Sequence, residues 1–86
     1  DVLCVGAEPI AMVDYLAVQE TRPHVLEQIG KGLYEGARQA NINIPGGELA
    51  QLRDMITGYH PGEGIDLMGT CVGVAQLDRL ITGEAI

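Results

Sequence analysis

Hydrophobic residues recur with two different periods along this chain, and the periods predict its elements. Ile10 to Gln19 is apolar at almost every position, which predicts a strand covered on both faces. Apolar residues then recur every three or four positions from Val25 to Ala40, which predicts an amphipathic helix. Thr21 is the predicted N-cap of this helix, Pro23 lies in its first turn, and the helix is expected to end at Asn41.

A second apolar strand after the helix runs into a glycine pair and a carboxylate, in the sequence Asn41-Ile42-Asn43-Ile44-Pro45-Gly46-Gly47-Glu48. Strand, helix and strand in this order predict a crossover unit with parallel strands. Gly46 and Gly47 lack a Cβ, so the backbone there can take positive φ and a ligand can come close. The segment predicts either a binding site with Glu48 held at a strand end, or a plain glycine turn followed by a solvated acid.

The rest of the chain predicts shorter elements. Three glycines and a proline between Thr57 and Gly64 indicate a loop, and Tyr59 and His60 are expected at its exposed tip. Gly30, Gly32 and Gly36 predict close packing of the helix on a sheet. Asp1–Val5 is expected to form the last turn of a helix that Gly6 stops. The other predicted elements are a helical turn within Leu49–Ile56, a third strand at Ile65–Gln76, and a turn or short helix at Gln76–Ile81.

Asp14 interrupts the apolar run of the first strand. A buried carboxylate costs several kcal/mol unless it is hydrogen-bonded, ion-paired or bound to a metal ion. A structural hydrogen bond and a role as a ligand are both open for Asp14, and the hydrogen bond is the favoured interpretation.

Composition indicates that this chain does not bury its apolar surface alone. Of the 86 residues, 47% are hydrophobic, none is Phe or Trp, and the mean hydropathy is +0.14. So much aliphatic surface in so short a chain predicts an obligate oligomer or a piece of a larger domain. Since the chain opens without an initiator Met, as though inside an element, we expect residues 1–86 to be a piece of a larger domain.

Charge and cysteine content limit the possible partners. The net charge of −7 and the absence of a Lys/Arg cluster argue against nucleic-acid binding. An acidic site that handles phosphates must recruit a cation, usually magnesium. Cys4 and Cys71 are expected to be buried, reduced thiols of a cytoplasmic protein. No apolar run in these residues is long enough to predict a membrane span, and no signal-peptide pattern appears among them.

Five segments occur in the order and at nearly the spacing of a known enzyme family. They are Asp1-x-x-x-x-Gly6-Ala7-Glu8-Pro9, Val13-Asp14-Tyr15, Glu35-Gly36-Ala37-Arg38-Gln39-Ala40, Gly46-Gly47-Glu48 and Asp66-Leu67-Met68-Gly69-Thr70-Cys71-Val72-Gly73-Val74. Together they resemble the aminoimidazole ribonucleotide synthetases, also called phosphoribosylformylglycinamidine cyclo-ligases, over essentially the whole chain.

This resemblance implies that residues 1–86 are part of the family's N-terminal domain, an ATP-binding and dimerising α+β domain with the order strand, helix, strand, strand. It implies a homodimer in which two sheets pair into an eight-stranded barrel, with Mg-ATP sites near the interface. The implied reaction is the ATP-dependent cyclisation of formylglycinamidine ribonucleotide to aminoimidazole ribonucleotide in purine biosynthesis, by way of a phosphorylated formyl or amide oxygen. The resemblance assigns Asp1, Gly46, Gly47 and Glu48 to ATP binding, with Asp1 and Glu48 as ligands of magnesium, which prefers hard oxygen donors.

Some features depart from the family pattern. Leu49 stands where the family often has Thr, and the loop from Arg53 to Gly64 is longer and differently composed. The family's upstream Asp-Gly-Val-Gly-Thr-Lys segment and its C-terminal domain are absent from these residues, so we expect this chain alone to be inactive. Two alternatives stay open: a non-catalytic dimerisation module, and a sister ATP-using enzyme such as selenophosphate synthetase or thiamine monophosphate kinase.

Overall fold

The computed structural model describes all 86 residues and has one sheet crossed by one long helix. The strands are β1 at Glu8–Val18, β2 at Asn43–Gln51 and β3 at Ile65–Val74, and the helix α1 is Pro23–Ala40. Short 3-10 turns lie at Leu3–Val5 and Leu77–Arg79. The α+β class and the order strand, helix, strand, strand are therefore confirmed.

The crossover through α1 makes β1 and β2 parallel, as predicted. β3 returns antiparallel on the other side of β1, so the strand order in the sheet is β2-β1-β3. β1 is thus the central strand and β2 and β3 are both edge strands. Leu16 of β1 lies level with Leu49 on one side and Leu67 on the other. The register shifts by one residue nearer the start of β1, between Ala11 and Val13 against β2 and between Pro9 and Ala11 against β3.

The N-cap of the helix lies one residue later than predicted. Arg22, with extended backbone, is the N-cap of α1 and makes no side-chain capping bond, so the prediction of Thr21 as N-cap is wrong. The Thr21 hydroxyl instead donates to the Gln51 side-chain oxygen at 3.0 Å, which links the start of α1 to the end of β2. At the other end Asn41 takes φ 55° and its N–H donates to the carbonyls of Ala37 and Arg38, a left-handed cap that stops the helix where the sequence predicted.

The solvent side of α1 carries an ion pair near its C-terminus. Arg38 donates to both carboxylate oxygens of Glu35, at 2.7 and 2.9 Å, and Gln39 adds a third hydrogen bond. The hydrogen bonds from Arg38, and then from Gln39, lower the pKa of Glu35 from 4.5 to about 2. Because the folded pKa is depressed, whatever stability this group adds is present above pH 4.5 and is lost as the pH falls toward 2.

Burial is concentrated at one end of β1. Leu16, Ala17 and Val18 are buried, whereas Ile10 and Val13 of the same strand are 48% and 44% exposed. The prediction that the whole strand is covered on both faces is therefore wrong for this chain by itself. Only the last residues of β1 lie beneath the start of α1 and the loop before β3, and the rest of the strand lacks a covering layer.

The glycines of α1 do not pack against the sheet. A Cβ built on Gly30, Gly32 or Gly36 would meet nothing within 4 Å, so the predicted close approach is wrong. Grooves of about 510 and 490 Å³ run along the middle of the helix instead. Leu33 borders both grooves, so the apolar side of α1 faces open space here.

The cysteines also differ from expectation. Cys4 and Cys71 are free thiols, but both are exposed rather than buried. Cys71 lies on edge strand β3 in the part of the sheet that has no covering layer, and Cys4 lies in the first 3-10 turn. The prediction of burial rested on their apolar neighbours, which are themselves exposed.

The segment between β1 and α1 fixes the loop that precedes β3. The backbone N–H of Gln19 donates to the Gly64 carbonyl at 2.8 Å, and the Gly64 N–H donates to the Gln19 side chain at 3.2 Å. Arg22 donates to the Pro61 carbonyl and forms ion pairs with Glu20 at 3.3 Å and Glu63 at 3.7 Å. The loop predicted between β2 and β3 is confirmed, and its base is tied down.

We expect Gly62→Ala to destabilise the protein by about 1–2 kcal/mol, because Gly62 is buried with φ +79° and an added Cβ would strike the Arg22 guanidinium. Urea unfolding of the full-length protein measures this loss. Gly32→Ala is the matched control, since its Cβ meets nothing and alanine raises helix propensity by about 1 kcal/mol. Equal effects of the two substitutions would contradict the prediction.

Candidate functional site

The glycine pair lies inside a strand and not after one. β2 continues through Gly46, Gly47 and Glu48 to Gln51, because its parallel pairing with β1 persists to Val18. Neither glycine has a positive φ. The predictions that Glu48 lies at a strand end and that the glycines make a turn are therefore wrong. The predicted helical turn likewise begins only at Leu52, whose carbonyl accepts from the N–H of Ile56.

Glu48 occupies an open position on edge strand β2. It lies level with Tyr15 of β1 and is exposed to solvent. Its carboxylate accepts one hydrogen bond, from the N–H of Leu49 at 3.3 Å, and forms no ion pair. No basic side chain borders the adjacent groove of about 510 Å³. Glu48 is therefore free to bind a cation at the sheet edge.

The two glycines differ in their surroundings. A Cβ at Gly46 would meet nothing within 4 Å, so the strand surface above it is open to a ligand. A Cβ at Gly47 would run into the carboxylate of Asp14, which lies opposite on β1. Gly46 thus fits the close approach of a ligand, whereas Gly47 meets a steric requirement inside the sheet.

Asp14 has no hydrogen-bond partner. It is half-buried and borders the same groove as Glu48, together with Leu16, Leu26 and Ile29 of the apolar walls. No protein donor reaches its oxygens, so the favoured prediction of a structural hydrogen bond is wrong. The carboxylate still contacts solvent, which spares it the full cost of burial.

Asp1 lies in a different part of the molecule. It borders a separate depression of about 330 Å³, formed with Pro9, Ile42, Gly69 and Cys71 among others. Cys71 is level with Met12, whereas Glu48 is level with Tyr15, three residues or about 10 Å further along β1. The chain forms no group of three or more His, Cys, Asp or Glu side chains able to hold a metal ion. The joint role of Asp1 and Glu48 stays a prediction.

Tyr59 and His60 form the exposed tip of the loop, as predicted. Tyr59 is 97% exposed, and the two rings meet edge to face with centroids 4.8 Å apart. His24 is likewise exposed at the start of α1. None of the three borders the groove beside Glu48.

Sequence reasoning missed the residues that surround Asp14. Gly47 on β2 and Gly69 on β3 lie directly beside it, one on each neighbouring strand. The Met12 thioether covers Gly69, and a Cβ there would come within 3.1 Å of its sulfur. A carboxylate flanked by glycines on both sides exists only once the strands are paired. The signal in the sequence was a glycine in each candidate strand, but the register was needed to align them.

The family follows from a match over most of the chain. Residues 1–75 match the family described as AIR synthase related protein, N-terminal domain. The chain belongs to this family. The resemblance carried by the five sequence segments is thereby confirmed.

Two curated relatives that match this chain over its whole length have the same name. The phosphoribosylformylglycinamidine cyclo-ligase of Pyrococcus horikoshii is 55% identical over 86 residues, which cover 100% of this chain and 24% of the relative. The protein of the same name from Methanocaldococcus jannaschii is also 55% identical, with 100% and 23% covered. The chain therefore spans about a quarter of the length of these relatives.

Solved structures share the fold at low sequence identity. Hydrogenase maturation protein HypE aligns with a TM-score of 0.82 at 20% identity, over 98% of this chain and 25% of that one. HypE in complex with ATP aligns with a TM-score of 0.81 at 21% identity, over 98% of this chain and 24% of that one.

No helix of the present chain has both the length and the apolar character that crossing a bilayer requires.

Proposed function

We propose that this chain is part of the ATP site of a phosphoribosylformylglycinamidine cyclo-ligase, a ligase of purine biosynthesis. The observation that carries the proposal is Glu48, an unpaired carboxylate beside the open surface of Gly46 on an edge strand. Identity of 55% to relatives of that name, across the whole chain, supports the same function. The substrates proposed for the full-length protein are formylglycinamidine ribonucleotide and ATP.

The residues present fit one wall of a site for magnesium and nucleotide. Glu48 supplies a hard oxygen donor of the type that magnesium prefers, and Gly46 leaves space for phosphate oxygens. Bound magnesium would supply positive charge at the phosphates, next to the carboxylate of Glu48, which forms no ion pair. Asp1 and Gly47 complete the proposed set, and the remaining ligands would come from phosphates, water or other parts of the full-length protein.

The fold is compatible with ATP as the nucleotide. HypE has been solved in complex with ATP, and its backbone matches 98% of this chain. At 21% identity that likeness shows the fold alone, so ATP binding here rests on the cyclo-ligase relatives and on the groove. The proposal of magnesium rests on the carboxylate oxygens of Glu48 and on the absence of basic side chains beside them.

We also propose that two copies pair through the sheet face opposite α1. Asp14 and Leu16 of β1 border the groove beneath α1, so alternation directs Val13 and Tyr15 to the other face. Met68 and Val72 of β3 share that face and are 58% and 59% exposed. A row of apolar side chains without a covering layer is typical of a surface buried in an oligomer.

A sister ATP-using enzyme is the second candidate function, favoured by the backbone match to HypE and to thiamine monophosphate kinase. The kinase aligns with a TM-score of 0.71 at 16% identity, far below the identity to the cyclo-ligases. A non-catalytic dimerisation module requires the exposed Glu48 and the open Gly46 to be incidental.

The deciding experiment supplies the purified full-length protein with formylglycinamidine ribonucleotide, ATP and magnesium, and measures aminoimidazole ribonucleotide and ADP. We expect equal amounts of both products. ATP turnover only with thiamine monophosphate, or with no ring-closed product, would favour the sister enzyme. No ATP binding at all would favour the dimerisation module.

The 86-residue chain expressed alone should show no cyclase activity and little affinity for ATP. Nucleotide binding depends on several segments held in one geometry, and this chain supplies one wall. Isothermal titration of the isolated chain with Mg-ATP, beside the full-length protein, measures the difference. Comparable affinity of the two would contradict the prediction.

A further inference from the structure

Gly47 of β2 lies directly opposite Asp14 of β1. A side chain on residue 47 would run into Oδ1 of Asp14, and its Cβ would come within 2.8 Å of the Asp14 carbonyl oxygen. The backbone of Gly47 has no positive φ, so conformational freedom does not explain the glycine. The carboxylate of Asp14 occupies the space that a side chain at position 47 would need.

Gly46 provides the contrast within the same pair. It meets nothing within 4 Å, and its partner on β1 is Val13. The missing side chain at Gly46 therefore leaves open space. The missing side chain at Gly47 leaves a notch in β2, which the carboxylate of Asp14 already fills. The two glycines of the motif serve different purposes.

Packing alone does not explain why an acid fills the notch. Asp14 makes no ion pair and no hydrogen bond, while its even-numbered neighbours on the same side of β1, Met12 and Leu16, are apolar. An apolar side chain here would avoid the cost of partly desolvating a charge. The planar carboxyl group differs from such side chains in being small and flat enough to lie across the strand at Gly47.

We infer that Asp14 is a positioning residue for Glu48, an inference that rests on the proposed function. Glu48 directly follows Gly47, so the contact that holds Gly47 against β1 also sets where Glu48 leaves the strand. Side chains alternate along a strand, so position 47 faces Asp14 and Glu48 faces the opposite side of the sheet. Asp14 therefore supports β2 from the side of the sheet opposite the candidate site. Removing its side chain empties the notch and lets this edge strand shift.

The shape of the side chain is the property under test, so the experiment compares Asp14→Ala with the isosteric Asp14→Asn in the full-length protein. We expect Asp14→Ala to lower kcat about 10-fold, since displacements of a fraction of an ångström already matter in a site. KM for ATP should stay within about twofold, because the nucleotide contacts are retained. Asp14→Asn should keep at least half of the wild-type kcat.

Gly47→Ala and Gly46→Ala, compared by melting temperature, test the notch itself. Gly47→Ala should lower the melting temperature by several degrees, and Gly46→Ala should not, because only the first meets the neighbouring strand. Combining Gly47→Ala with Asp14→Ala should recover part of the loss, since the side-chain clash is then removed and the backbone clash remains.

Two results would overturn the inference. Wild-type kcat for Asp14→Ala would show that the contact does not position the site, and equal losses for Asp14→Ala and Asp14→Asn would show that charge rather than shape matters. Glu48→Gln in the same series separates the inference from the proposed function. Loss of turnover in Glu48→Gln with none in Asp14→Ala refutes only the positioning role, whereas normal turnover in Glu48→Gln refutes the proposed site.

Discussion

Replacing Glu48 by Gln in the full-length protein should lower turnover by about 100-fold or more. The substitution keeps the size and hydrogen-bonding capacity of the side chain but removes the charge that a hard divalent cation needs. Losing one preorganised electrostatic contact is worth roughly 3 kcal/mol in the transition state, or about 100-fold in rate. The magnesium concentration required for half-maximal rate should rise as well.

Steady-state kinetics across a magnesium titration measure this effect, with melting temperature as the control for folding. The carboxylate of Glu48 is exposed and has one weak protein contact, so the melting temperature should not change. Asp66→Asn, which likewise replaces a carboxylate by its isosteric amide, is the matched control, at an exposed acid on β3 outside the groove. Near-normal turnover of Glu48→Gln at low magnesium would show that Glu48 is not a magnesium ligand. Gly46-Gly47-Glu48 would then be two glycines followed by a solvated acid.

Asp1→Asn tests whether the first carboxylate acts on the same ion. If it does, the double variant with Glu48→Gln should lose less than the sum of the two single losses in activation free energy. Additive losses would show instead that Asp1 and Glu48, which border different depressions of this chain, act separately. Kinetics of the two single variants and the double variant decide between these results.

Val13→Glu should convert a dimer of the full-length protein into monomers, weakening association by 100-fold or more. Val13 lies in the middle of the central strand on the face without a covering layer and is 44% exposed. A two-fold interface would bury the new carboxylate twice, and each unpaired buried charge costs several kcal/mol. Sedimentation equilibrium over a range of concentrations measures the change.

Met55→Glu is the control for this substitution. Met55 is 78% exposed on the turn after β2, away from the sheet face, so a charge there should leave the dimer intact. A wild-type protein that stays monomeric at micromolar concentration would contradict the dimer itself. Unchanged association of Val13→Glu would show that the copies pair through another surface.

Several structural features followed from the sequence because they depend on local interactions. The helix from Pro23 to Ala40 follows from a 3.6-residue period, and its end follows from Asn41, which tolerates the left-handed conformation. Two nearly continuous apolar runs gave β1 and β3 within two residues of their observed bounds. The family followed from five short segments in order, and the match over residues 1–75 confirms it.

Pairing between distant strands decided what the sequence did not show. The glycine pair was predicted as the end of a strand, because Gly-Gly has weak strand propensity, yet pairing with β1 extends β2 to Gln51. The sequence analysis also predicted more burial than the structure shows. An apolar pattern indicates which residues avoid water, but it does not show which part of the protein covers them. Cys4, Cys71 and the three glycines of α1 are exposed for this reason.

The sequence by itself determined the class, the helix, the parallel crossover and the candidate carboxylate Glu48, since each depends on residue type and spacing along the chain. Only the tertiary structure decided that Asp14 fills the notch of Gly47, that Gly46 stays open, and that Asp1 and Glu48 border different depressions. These facts depend on strand register, in which a shift of one residue exchanges the two faces of the sheet.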